Sequence, residues 1–321
     1  MDITFYIPEQ HEIDKVLELE SGKDDVSMYG EENWLIKTCL ILRFEGVALN
    51  LSQEVPDEGI LVYQSKHAEL IRKTLKKERK NKSILVEIVS NKSRSYVADF
   101  KVSPSWNYRR DRKQIYIPPW STPGLEPNKK TKREVLKVIA FIGDGLKLDS
   151  FFFSKEWEEW IRAHDMIFYH ENNSQADLFI AAPSMSSDKG IGNNHSQKQI
   201  SLLYDGWTIG VPVVILHGEV YREFRKSPLD FIEVMNIEEL KEAILKLKRD
   251  PFFCSAMVEN GFERAREYRN DVITQYWIDF FYNYIPVHST KLRSNISRRI
   301  LIHLRILYRA FYYIISTNRN K

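Results

Sequence analysis

Short apolar runs of strand length alternate with helix-length segments along this chain, and they do so twice, on either side of a break rich in proline and basic residues. In the first half, Ile3-Thr4-Phe5-Tyr6-Ile7 is β-rich and stops at Pro8, which reads as a strand ending in a loop. A polar stretch through Gly22 and Gly30 follows, and then residues 34–42 read as a buried helix with Asn33 as its N-cap. Residues 47–51 and 59–63 are two runs of strand length, 67–82 a strongly charged helix, and 84–89 a further strand. Strands alternating with helices predict an α/β domain built on a mainly parallel sheet.

Between residues 103 and 133 the character changes. Pro104, Pro118, Pro119, Pro123 and Pro127 accumulate there with Gly124 and the basic runs 109–113 and 129–133, so this stretch reads as a linker. A second alternation begins with strand 135–142, helix 154–164 and strands 166–169 and 178–181. After a Gly/Asn/Ser loop come helix 200–207, strand 211–216 and helices 237–248 and 251–268. A chain of 321 residues suits two domains of about 150 residues each. The expected divisions are 1–132, an N-terminal domain with linker; 133–270, a second domain; and 271–321, closing helices with a basic tail.

Composition narrows the classes of function. The chain is 43% hydrophobic and 28% charged, as a soluble globular protein is. Its 47 Lys and Arg against 44 Asp and Glu leave a net charge of only +3, which argues against nucleic acid as a partner. Two distant cysteines point to a reducing, cytoplasmic compartment. The opening residues carry no secretory pattern, and no apolar run reaches the roughly 18 residues of a membrane span. Neither the eight histidines nor the cysteines have ligand spacing, and no Asp-x-Asp pair occurs, so neither a metal site nor a cofactor is expected.

In an open parallel sheet, ligands bind beyond the carboxyl ends of the strands. Phe141-Ile142-Gly143-Asp144-Gly145 is a strand running into a glycine turn that either admits a phosphate close to backbone or simply reverses the chain. Lys198 and Ser201 fall where a helix starts, so an anion there would meet open N–H groups, an ammonium and a hydroxyl. Glu219 follows the strand ending at Leu216, where a carboxylate can accept from ribose hydroxyls.

From Ser201 to Tyr268 the chain resembles the second half of a GT-B glycosyltransferase, through Trp207-Thr208-Ile209-Gly210-Val211-Pro212-Val213, Glu219 and the closing helices around 256–261 and 264–265. Asn33-Trp34-Leu35-Ile36-Lys37-Thr38, Pro56-Asp57-Glu58-Gly59-Ile60 and the stretch 117–125 are similar to bacterial members, so the resemblance covers most of residues 1–285. It implies two Rossmann-like domains facing across a cleft, with a UDP- or GDP-sugar held by the second domain and a glycan or lipid-linked acceptor by the first. The donor would be contacted by Gly143, Lys198, Ser201, Asp205 and Glu219, with helix N-termini and Lys198 in place of a metal. Gln197 and Asp205 stand where retaining members carry two glutamates, and Leu202 where a second lysine is expected. Those departures motivate an alternative, a GT-B-like scaffold that binds a glycan or a partner without catalysis.

If the reaction inverts, a first-domain base must take the acceptor proton, and Glu9 and His11, just after the first strand, are the nearest candidates; the competing reading makes them solvated loop residues. Aromatic groups at 151–153, Trp157 and Trp160 read as packing. Residues 291–321 hold eight Lys and Arg and no acid. As a helix they would set Arg298, Arg305 and Arg309 opposite Ile300, Leu304, Leu307 and Phe311. Such a helix either lies on an anionic membrane, making the protein peripheral on the inner face, or docks on the protein itself.

Overall fold

The computed structural model describes residues 1–20, 34–77, 81–89, 97–104, 114–122, 125–127, 136–141, 148–170, 175–181, 196–216 and 221–289. The basic tail, 291–321, lies outside them, as does Asn33. The chain divides into two units: Met1–Pro118 with the chain from Ile273 onward, and Pro119–Val272.

The first unit begins with β1 (Ile3–Tyr6), α1 (Gln10–Glu20), α2 (Trp34–Phe44), β2 (Asn50–Ser52) and β3 (Ile60–Gln64). A 3-10 turn, Ser65–His67, then leads into α3 (Ala68–Lys77), β4 (Ile84–Ile88), β5 (Phe100–Ser103) and β6 (Gln114–Tyr116). All six strands pair in parallel, in the order β2-β1-β3-β4-β5-β6. β3 and β4 are buried along their whole length, which is why they read as continuous apolar runs instead of alternating ones. α2 is buried from Trp34 through Leu42, and a helix apolar on every side can only sit inside a core.

The second unit comprises β7 (Val138–Phe141), α4 (Lys155–Ala163), β8 (Ile167–Tyr169), β9 (Leu178–Ala181), α5 (Ser196–Ile209), β10 (Val213–Leu216), β11 (Ile232–Val234), α6 (Ile237–Arg249) and α7 (Pro251–Arg266). Its five strands are also parallel, in the order β11-β10-β9-β7-β8. Its helix starts are capped as their sequences dictate. Ser154 accepts from the Trp157 N–H, Asn236 from Glu239, and Asp250 from Phe253 with Pro251 in the first turn. Trp157 and Phe152 are buried in this unit's core among Ile139, Leu178, Val214 and Ile244, with Phe151 and Trp160 packed against it. Phe153 is exposed and stacks on His170.

The chain then runs through α8 (Asn270–Ile278), a π-helical turn (Asp279–Tyr284) and α9 (Ile285–Ser289). Within the first unit Trp277 meets Trp34 edge-on at 6.4 Å, and Phe280 meets Phe100 at 6.1 Å.

Several elements depart from the sequence reading. The polar stretch after β1 opens with α1, and the linker contributes β6 to the first sheet. α5 starts four residues before the expected helix and β11 is an addition to the sequence reading, whereas α8 falls where closing helices are expected. α1 exposes most of its charged surface and buries little beyond Val16 and Leu19, so its apolar periodicity is thin. β6 is a three-residue edge strand, too short to carry a pattern.

Candidate active site

A doubly wound sheet opens a crevice where the strand order reverses, because helices leave neighbouring strands on opposite faces there. Both sheets place strands in the chain order 2-1-3-4-5, so the reversal falls between β1 and β3 in one and between β7 and β9 in the other.

In the first unit, β1 delivers Pro8 and Glu9 into α1, while β3 delivers Ser65, Lys66 and His67 into α3. The Ser65 hydroxyl lies 2.9 Å from Glu87 Oε1 and 3.1 Å from the Ile88 carbonyl, which ties the turn to β4. Glu87 is fully buried, so this tether is held inside the sheet. Lys66 Nζ approaches Glu12 Oε1 at 3.9 Å. The His67 ring is 7% exposed and meets the Tyr6 ring edge-on at 5.9 Å. Glu9 Oε2 is buried, and the Glu9 carboxyl lies beside that of Glu12.

These groups shift one another's protonation. Burial raises the Glu12 carboxyl above its ordinary range, against the charge of Lys66, and the neighbouring Glu9 carboxyl adds to the rise. Burial lowers the His67 imidazole, Lys66 lowers it further, and Glu9 pulls it partly back. The Tyr6 phenol is raised by burial and then by Glu9. Glu9 therefore acts on Tyr6, Glu12 and His67 together.

Of the two expected bases, Glu9 belongs to this cluster, whereas His11 is exposed in the first turn of α1 and is not a loop residue. His67 was not singled out by the sequence, where it is one of eight histidines at the head of a charged helix. Its signal is positional: it follows β3 as Glu9 follows β1, and only the order β1-β3 makes them neighbours.

In the second unit, β7 ends at Phe141 and β9 at Ala181, and the loops that leave them lie outside the described residues, Gly143 with them. Glu219 lies outside as well. α5 begins at Ser196, which sets Lys198 in its first turn and Ser201 in its second. Asp205 sits deeper in α5 and is buried. Its Oδ1 accepts from the Thr122 N–H at 3.0 Å and its Oδ2 from the Thr122 hydroxyl at 2.7 Å, so this carboxylate anchors the chain that enters the unit. The following turn is shaped by two glycines. Gly210 has φ 74 and closes α5, with the Val211 N–H returning to the Gly206 carbonyl at 2.8 Å. A Cβ at Gly206 would stand 2.5 Å from Val213 Cγ2, so that glycine lets α5 lie against β10.

No family model matches the sequence, and no curated protein matches it. Solved structures do. The fold is similar to that of HepE from Anabaena in complex with UDP, at 12% identity over 87% of this chain and 99% of that one, with a TM-score of 0.53. HepE with UDP and glucose gives 11% identity over 87% and 98% of the two chains, with a TM-score of 0.50. A glycosyltransferase from Rickettsia africae gives 12% identity over 87% and 97%, with a TM-score of 0.51. Likeness of this kind over nearly the whole length of both chains, with two parallel sheets in matching strand order, establishes the architecture: the chain carries the GT-B fold, an α/β fold of two Rossmann-like units.

Proposed function

We propose that this chain is a glycosyltransferase that moves a sugar from a nucleotide-sugar to an acceptor. The observation that carries the reading is the likeness, over 87% of this chain, to structures solved with UDP and with UDP and glucose, in a chain whose second sheet reverses its strand order between β7 and β9, the strand that α5 follows. The second unit takes the donor. Its diphosphate meets the N-terminus of α5 and Lys198 in that helix's first turn, with Ser201, Gly143 and Glu219 as further contacts. The charge that builds on the departing diphosphate is met there by aligned N–H groups and an ammonium, which do not need to reorganise as the bond breaks. Asp205 serves this site by fixing α5 to Thr122. The first unit takes the acceptor, a glycan or a lipid-linked sugar, and Glu9, between β1 and α1, and His11, in the first turn of α1, are the acid–base candidates that the sequence offers. No helix among the described residues is long and apolar enough to cross a membrane. We place the protein in the cytoplasm, with the basic segment 291–321 holding it against the anionic inner face.

Nucleotide binding tests this directly. UDP or GDP at millimolar concentration raises the melting temperature of the wild type by several degrees, and Lys198→Ala cuts the rise by at least half. Wild-type protein that no nucleoside diphosphate stabilises would leave the fold without the activity.

A further inference from the structure

We infer that two copies of this chain pair through the open edge of the second unit's sheet, β8 against β8 about a two-fold axis. β8, Ile167-Phe168-Tyr169, is β-branched and aromatic throughout. The other edges among the described strands are guarded: β2 carries Asn50 and Ser52, β6 carries Gln114, and Glu233 of β11 is ion-paired with Arg222 at 2.8 Å. The Ile167 N–H donates to the Lys137 carbonyl at 2.8 Å, inside the sheet. Successive residues of a strand turn their N–H and C=O to opposite sides in a parallel ladder, so those of Phe168 point outward. The Phe168 ring packs inward, stacked on Phe152 at 5.7 Å and edge-on to Trp157 at 5.3 Å, which sets Ile167 and Tyr169 on the opposite face. That face is shared by the row Tyr169, Ala140, Phe179 and Val213. α5 covers the far end of the row, where Gly206 lies against Phe179 and Val213, while Ile167 and Tyr169 remain 54% and 40% exposed. β8 ends at Tyr169 and β9 starts at Leu178, leaving eight residues between them, well short of the dozen or more that a helical crossover takes. On the α4 face of the same edge the exposed Phe153 ring stacks on His170 at 4.4 Å.

The occupant is a second copy because the edge is complementary to itself. With Phe168 on the axis, its N–H and C=O exchange both bonds with Phe168 of the second copy. Ile167 then stands opposite Tyr169 of the second copy, and Tyr169 opposite Ile167, at positions where side chains come closest and a β-branched residue pairs well with an aromatic one. Charge agrees. Glu156 reaches Lys241 of α6 at 2.9 Å, which marks the side of α4 turned to α6. Glu158 and Arg162 lie about 200–240° further round that helix, on the side toward the edge. They pair with each other at 2.7 Å, one acid and one base four residues apart. The same helix running the other way therefore offers an arginine to Glu158 and a glutamate to Arg162. An isologous dimer is what this symmetry fits.

Sedimentation velocity on the full chain tests the pairing. A monomer–dimer equilibrium is expected between about 1 and 100 μM, as for a small, transient interface. Ile167→Lys with Tyr169→Lys sets lysine against lysine across the axis and weakens association about tenfold or more. Both side chains are exposed, so the melting temperature of this variant stays within about two degrees of wild type. Ile167→Glu with Tyr169→Glu dissociates alike, and mixing the lysine and glutamate variants restores a dimer. Cross-linking reads the register: Ile167→Cys chains mixed with Tyr169→Cys chains form a disulfide-linked dimer in excess of what either gives alone. The native Cys39 and Cys254 are buried and do not compete. A chain that stays monomeric over the whole range, a dimer that the folded lysine variant leaves intact, or a cross-link no stronger in the mixture than in either variant alone overturns the inference. None of these results bears on the transferase reading.

Discussion

Arg264 meets carboxylates, a backbone carbonyl and an aromatic ring from a side chain only 5% exposed. Its Nε lies 3.3 Å from Asp230 Oδ1, Nη2 donates to the Phe224 carbonyl at 2.9 Å, and Nη1 reaches Glu267 at 2.5 Å. Its guanidinium stands 4.9 Å from the Trp207 ring. Burial works against its charge, but Tyr268, Glu267 and Asp230 outweigh that and keep it protonated. Arg264→Ala removes the counter-charge of the fully buried Asp230 carboxylate, which keeps its hydrogen bonds from the Lys226 and Ser227 N–H groups and the Asn260 amide, and is expected to cost about 3 kcal/mol in urea unfolding. Arg264→Met with Asp230→Asn removes the charge along with its partner and recovers at least half of that loss; no recovery would mean that packing alone sets the cost. Arg264 was legible only as one basic residue in a closing helix, since its partners lie 34 positions upstream in the case of Asp230 and 40 in the case of Phe224. Glu9 was legible for the opposite reason: a carboxylate directly after a strand needs no long-range knowledge to be suspected. His67 needed the strand order, and no local pattern encodes that order.

At the scale of elements, the sequence announced those that are buried on every side. α2, β3, β4, β9 and β10 are continuous apolar runs and were found within a residue or two. Elements that bury one narrow stripe or sit at an edge, α1 and β6, were lost because their energy comes from tertiary contact and not from local pattern. The turn after α5 lies between these cases. Its glycines were visible as part of a motif, but the reason for Gly210 was not. φ 74 demands glycine or a strained substitute, and a Cβ would stand 2.2 Å from the Phe262 ring of α7. Gly210→Ala is therefore expected to cost about 2–4 kcal/mol, part backbone strain and part collision. Adding Phe262→Ala to Gly210→Ala relieves the collision only, so the pair should show a favourable coupling of about 1 kcal/mol or more in a double-mutant cycle. Strict additivity would place the entire penalty in the backbone.

At the scale of the molecule, the same strand order, 2-1-3-4-5 in chain terms, is used in both units, with β6 as an addition to the first. Alternation in the sequence foretold parallel sheets, since a parallel pair needs a crossover and the helices supply it. It could not foretell the order, and so it could not say which loops would meet. The tail is the reverse case, a part of the molecule for which sequence is the only guide. Its charge is one-sided, with eight basic residues and no acid between 291 and 321. Phosphatidylglycerol vesicles should pellet the full chain at low salt, neutral phosphatidylcholine vesicles should not, and half-molar salt should release it by shortening the Debye length to a few ångströms. Each basic residue near such a surface is worth about 1 kcal/mol, so reversing Arg298, Arg305 and Arg309 to glutamate should weaken binding about 100-fold or more. If the reversed variant pellets as the wild type does, the arginines do not face lipid, and the apolar positions Ile300, Leu304, Leu307 and Phe311 would then be left to pack against the protein itself.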